Sequence, residues 1–251
     1  MGESSMDITQ ENKLKIQANR REIFELESLV NANRSLVYST RAAIEQNYTS
    51  IMRNYSSAFL GNHQITTQNT DNIFRNRLTI LNNMEVDGDV EENFRESMTN
   101  SAKLDFLEMQ ASVNKLVLEI NNRMTEVNSM LIETNKMIMS ANEKSVKFNK
   151  KNLAMNKEFI EGEFITSGAT PLENKKRVEE NKNRCKKIRD TAEKNSLKLD
   201  SLYQKAKKNS MDVLLNSAEI SKRREVINEG QSAIIEDQND VARIISRKLG
   251  K

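Results

Sequence analysis

Asparagine returns at every seventh position along residues 111–156, as Asn114, Asn121, Asn128, Asn135, Asn142, Asn149 and Asn156. Three residues before each stands Ala111, Leu118, Thr125, Ile132, Met139, Val146 or Leu153. This is a heptad with an apolar-leaning first position and Asn at the fourth, the two positions that face a partner helix. Such a repeat commits the chain to long helices, and no chemistry-bearing motif competes with it.

The same phase runs through the rest of the sequence. Over residues 7–59 the first-position series is Ile16, Ile23, Val30, Val37, Ile44 and Ile51, and the fourth-position series is Asn19, Leu26, Asn33, Thr40, Asn47 and Asn54. Near Gly61, Asn62 and His63 the phase slips by one residue: Phe59, Thr66, Ile73 and Ile80 carry on the first series, and Asn62, Asn69, Asn76 and Asn83 the fourth. One inserted residue is absorbed by local unwinding or a bulge, so the reading is a kink near 61–63. Residues 85–89 hold an Asp-Gly turn, with Asp89 and Glu92 set as a capping box for the next helix. The spacing fails that of a calcium-binding EF-hand loop. A second turn falls at residues 162–168. After it, Thr170, Pro171 and Glu173 mark a helix start. The last first-position series is Val178, Cys185, Ala192, Leu199, Ala206, Val213, Ile220, Ile227, Ile234 and Val241, with Asn174, Asn181, Ile188, Asn195, Leu202, Asn209 and Asn216 at the fourth.

With one Pro, seven Gly and no Trp, little interrupts a helix and little fills a broad core. The helices read as 7–84, 89–160 and 170–248, each on the order of 110 Å at 1.5 Å per residue. Short turns between equal lengths give antiparallel neighbours. The expected fold is all-α: an elongated antiparallel three-helix coiled-coil rod with Asn-rich heptads, a single domain over 7–248 behind a flexible 1–6 N-terminus. In architecture it resembles spectrin-like and other three-helix rods. The apolar-x-x-Asn heptad resembles the stalks of trimeric adhesins. Neither resemblance brings a function with it.

The middle helix carries a second stripe: Val113, Val117, Ile120, Met124, Val127, Leu131, Thr134, Ile138 and Ala141. Two stripes mean two packing partners. The Asn series is expected in the seam, where buried amides cost stability and fix register. Pairing about Gly88 sets Ile80 against Asn93 and Asn83 against Val90.

Cys185, the only cysteine, excludes an internal disulfide and a multi-Cys zinc site, and its register makes it a small apolar filler. One His and dispersed carboxylates argue against an enzyme, and nothing calls for a cofactor, metal or small-molecule substrate. The N-terminus lacks a signal-peptide pattern, and no stretch is a membrane span, so an intracellular, cytoplasmic location is expected. The basic run over residues 175–189 lacks the aromatic platform of a nucleic-acid site.

The expected function is structural: self-association into a filament, lattice or scaffold. The alternative is an adaptor or tether holding another helical protein on exposed helix faces, and behind it a membrane-active helical bundle. For assembly the candidate contacts are the seven asparagines and two charged ends. The acidic end holds Glu85, Asp87, Glu91 and Glu92, with Arg247, Lys248 and Lys251 nearby. The basic end holds Lys147, Lys150 and Lys151 with Lys175, Lys176 and Arg177.

Overall fold

The computed structural model describes residues 5–162 and 169–249. Of these, 96% are helical and none is in a strand. The elements are α1 (Ser5–Ser56), a seven-residue π-helical turn (Ser57–His63), α2 (Gln64–Asn82), α3 (Asp89–Ile160) and α4 (Pro171–Leu249). α1, the π turn and α2 follow one another without a break, so the chain reads as three long helical stretches. Lys251, and the second expected turn beyond Gly162, lie outside the described residues, as do residues 1–4 of the N-terminus.

The helix ends follow local chemistry. The Thr170 hydroxyl accepts the Glu173 N–H at 3.1 Å, and Pro171 takes the first helical position, where its missing N–H is not needed. α3 starts differently from the capping box read from the sequence. Gly88 is the cap residue, extended, and its carbonyl accepts the Glu92 N–H at 3.0 Å. No side chain caps this end. Asp89 lies one residue inside, where with Glu91 and Glu92 it meets the positive end of the helix dipole. At the other end Gly162 has φ +79°, the left-handed conformation that closes a helix and that glycine adopts without strain.

The chain divides into two compact units. The first takes α1, the π turn and α4 as far as Val226. In it α1 and α4 run in the same direction, because successive Asn side chains on α1 meet successively later residues of α4: Asn12 meets Pro171, Asn33 meets Ala192 and Asn54 meets Val213. On the α4 side the seam is built from small residues. Val178, Cys185, Ala192 and Ala206 are buried at multiples of seven, and Cys185, only 4% exposed, is the filler its register indicated.

The second unit takes α2 beyond Gln64, α3 and α4 from Ile227. Leu81, Ala102, Ile234 and Val241 are buried there. Phe74 stacks on Phe106 with ring centroids 4.1 Å apart, and Arg77 pairs with Asp105 at 3.2 Å. These contacts replace the pairing expected about Gly88. Asn93, Val90 and Asn83 are all exposed, and the Asn83 amide bonds to the Thr79 carbonyl of its own helix. On α3 the face turned inward holds Thr99, Ala102 and Phe106.

The π turn is the structural form of the phase slip. Asn54 donates to the carbonyl of Val213, and Asn62, eight residues later, to that of Ile220, only seven later. The wider π geometry takes up the extra residue. Arg224 fastens it: Nε donates to Asn62 Oδ1 at 2.8 Å, and Nη2 to the Ser57 carbonyl at 3.2 Å. Gly61 allows that approach, since a methyl group there would overlap the guanidinium.

Candidate assembly surface

An Asn seam buried within the first unit shows what this heptad can do chemically. Asn19 Nδ2 donates to the Val178 carbonyl at 2.9 Å, Asn33 to Ala192 at 2.8 Å, and Asn47 to Ala206 at 2.7 Å. In the second unit Asn69 donates to the Ile227 carbonyl at 3.3 Å, and Asn76 to Asp237 Oδ2 at 2.9 Å. A helical carbonyl already accepts one N–H but has two lone pairs, so a neighbouring amide bonds to it without breaking the helix. At Ala192 and Ala206 the acceptor residue is small, and at Val178, Val213 and Ile220 it is β-branched. The ladder reads backbone position at a seven-residue pitch and so fixes one register.

This buried ladder lies on α1 and α2. The seven α3 asparagines, Asn114, Asn121, Asn128, Asn135, Asn142, Asn149 and Asn156, are all exposed, as are Asn174, Asn181, Asn195, Asn209 and Asn216 on α4. No signal in the phase alone separates them, since the ladder's acceptors range from Ala192 and Ala206 to Val213, Ile220 and Ile227. Two residues that shape the π turn carried no heptad signal. Arg224 is outside both seam positions, and Gly61 matters only through Arg224.

Two apolar rows remain uncovered by the chain. On α1, Ile16, Ile23, Val30, Val37, Ile44 and Ile51 are each between 44% and 51% exposed, half shielded by α4 and half open. On α3, Leu118, Ile132, Met139, Val146 and Leu153 range from 51% to 70% exposed. Of the second α3 stripe, Val113, Val117 and Met124 are half-buried, while Ile120, Val127, Leu131, Thr134, Ile138 and Ala141 are exposed.

The charged candidates are exposed, and several have local partners. Lys248 donates to the Asn83 carbonyl at 2.6 Å and lies 3.7 Å from Glu85, so the C-terminal end of α4 does reach the first turn. Glu92 pairs with Arg95 at 3.0 Å. Asp87 and Glu91 are exposed, as are Lys150 and Lys151. Lys147 pairs with Glu143 at 2.6 Å and Arg177 with Glu173 at 3.3 Å, both along one helix. Lys176 is exposed. Lys175 reaches Glu11 at 3.8 Å and Arg189 reaches Glu25 at 2.9 Å, so part of the basic run holds α4 to α1. The bond to Glu25 raises the Arg189 pKa. The Lys15 ammonium, bonded to Glu11 at 2.6 Å, holds that carboxyl below its usual range, and Lys175 adds to the effect.

Among the described residues no three His, Cys, Asp or Glu side chains come together as a metal site, and no helix is long and apolar enough to cross a membrane. No family model matches the chain, and neither a curated protein nor a solved structure shows significant similarity to it.

Proposed function

We propose that the protein is a structural coiled-coil element that self-associates into a filament, lattice or scaffold. Its three helical stretches would form an elongated antiparallel three-helix rod with the α3 seam on its outer face. The observation that carries this reading is the α3 seam: seven heptads with Asn at the fourth position, six of them with an apolar first position, all exposed. Burial of an apolar row this long is worth several kcal/mol at about 25 cal/mol per Å². A partner that closed it would gain that burial. The proposed role involves no catalysis. Cys185, the only thiol, is buried, and His63, the only imidazole, is stacked on Phe59.

The half-open row on α1 favours a second reading, an adaptor or tether that takes a helix of another protein beside α1. Light scattering with small-angle X-ray scattering separates the two. Self-association gives a mass that grows with concentration, whereas an adaptor stays monomeric until its partner is added. A radius of gyration near 18 Å, the size expected of a compact chain of this length, would rule out the rod.

A further inference from the structure

We propose that the exposed α3 seam is closed by the same seam of a second copy, laid across it in the opposite direction about a two-fold axis between Glu133 and Thr134. This rests on the self-association reading and adds the surface and the symmetry.

Three observations carry it. First, the seam is self-complementary when reversed. An axis at that point brings Leu118 level with Asn149 of the second copy, Ile132 with Asn135 and Val146 with Asn121, and each of the seven layers then sets a first-position residue against an Asn, apolar in six and Thr125 in the seventh. A pairing in which each copy offers the same patch is the closed, two-fold kind. Second, the molecule already uses this combination. In the buried ladder an Asn amide bonds to the carbonyl of an apolar seam residue, as Asn19 does to Val178 and Asn47 to Ala206. Third, the charge on α3 is polarised. Residues 107–133 carry four carboxylates and two basic side chains, while residues 134–160 carry six basic side chains and two carboxylates. Reversed pairing sets the acidic half on the basic half. Parallel pairing would stack six basic side chains on six. The half-buried stripe at Val113, Val117 and Met124 lies on another face of α3 and leaves this seam free.

Cross-linking through introduced cysteines tests the proposal. In a Cys185→Ser background, one chain carries Asn114→Cys and another Leu153→Cys, two positions that the reversed pairing makes neighbours near the ends of the seam. Circular dichroism confirms that both chains fold. With a short thiol cross-linker the mixture should give a covalent pair, and each chain alone should give none. Raising the salt concentration should reduce the yield, because the complementary halves are screened. Cross-linking of Asn114→Cys to itself would mean parallel pairing and would overturn the proposal. An oligomer by light scattering with no cross-link in the mixture would overturn it too, while leaving self-association through another surface. A monomer at low salt and high concentration would overturn both readings.

Discussion

At the scale of single residues the design turns on how completely each buried polar group is satisfied. The Asn62 amide is bonded at both ends, donating to Ile220 and accepting from Arg224. Among the described residues, Asn12 and Asn69 are bonded through nitrogen only, and the buried Thr40 hydroxyl has no partner. A buried hydroxyl without a bond costs roughly 1–3 kcal/mol. Thr40→Val, which keeps the shape and removes the hydroxyl, should therefore raise stability by about 1 kcal/mol in urea unfolding. A loss of stability would show that the hydroxyl is bonded after all. By contrast, Asn47→Ala removes a made bond and should lower stability by roughly 0.5–1.5 kcal/mol, since the Ala206 carbonyl keeps its own helical N–H. Glu11 adds a pH dependence. Its folded pKa is depressed, through Lys15 first and Lys175 second. The contribution is therefore fully present above the unfolded value, about 4.3, and is lost as pH falls through the lower folded value. Glu11 is exposed, so the effect is small. The stability difference between parent and Glu11→Gln should be present at neutral pH and vanish in acid. A difference independent of pH would assign Glu11 a packing role instead.

The elements show how far a heptad phase carries. Long helices were legible because one Pro and few Gly leave the phase intact, and the extra residue before Asn62 announced the π turn. The seam that would be buried was not legible from phase alone. Several helices carry similar fourth-position asparagines, and only those of α1, the π turn and α2 meet α4, α1 at Ala192 and Ala206 among others and α2 at Ile227 and Asp237. Nor does periodicity see the stacking of Phe74 on Phe106, which sets the contacts beside the first turn, or the extended Gly88 that moves the cap off Asp89. The π turn makes a sharp prediction about register. Deleting Gly61 places Asn62 seven residues after Asn54, which matches the spacing of Val213 and Ile220 on α4. The ladder then stays in register on both sides, and the melting temperature should change little. Deleting Ala43 instead moves Asn47 and Asn54 off their carbonyls, with losses of about 1 kcal/mol for each bond. Thermal melts of the two deletions should differ clearly. Equal damage from both would mean that the π turn is not what reconciles the two spacings.

For the whole molecule the question is what closes its open apolar rows and what, if anything, joins its ends. If association closes the rows, folding and association are linked, and the melting temperature must rise with protein concentration. The linkage is worth about 2.7 kcal/mol at a hundred times the dissociation constant. Growth beyond a closed pair needs a second, unlike contact, because a two-fold patch is used up once it is paired. The exposed charges supply a candidate: the acidic turn at Glu85, Asp87, Glu91 and Glu92 against the lysines at Lys147, Lys150 and Lys151 or at Lys175, Lys176 and Arg177 of another copy. Contacts between exposed charges are weak and screened within ~8–10 Å at physiological ionic strength, so such growth belongs to low salt. Replacing all four acidic residues with Lys sets like charges beside Lys248 and Arg95, which already lie near Glu85 and Glu92. Those positions are exposed, so the helical signal should persist. Sedimentation across a salt series then tells the contacts apart. The reversal should abolish species larger than the pair at low salt and leave the pair itself, with its concentration-dependent melting, unchanged. Loss of the pair would place the acidic turn in the pairing surface. Persistence of the larger species would remove the charged ends from assembly and leave the open α1 row as the surface through which pairs join.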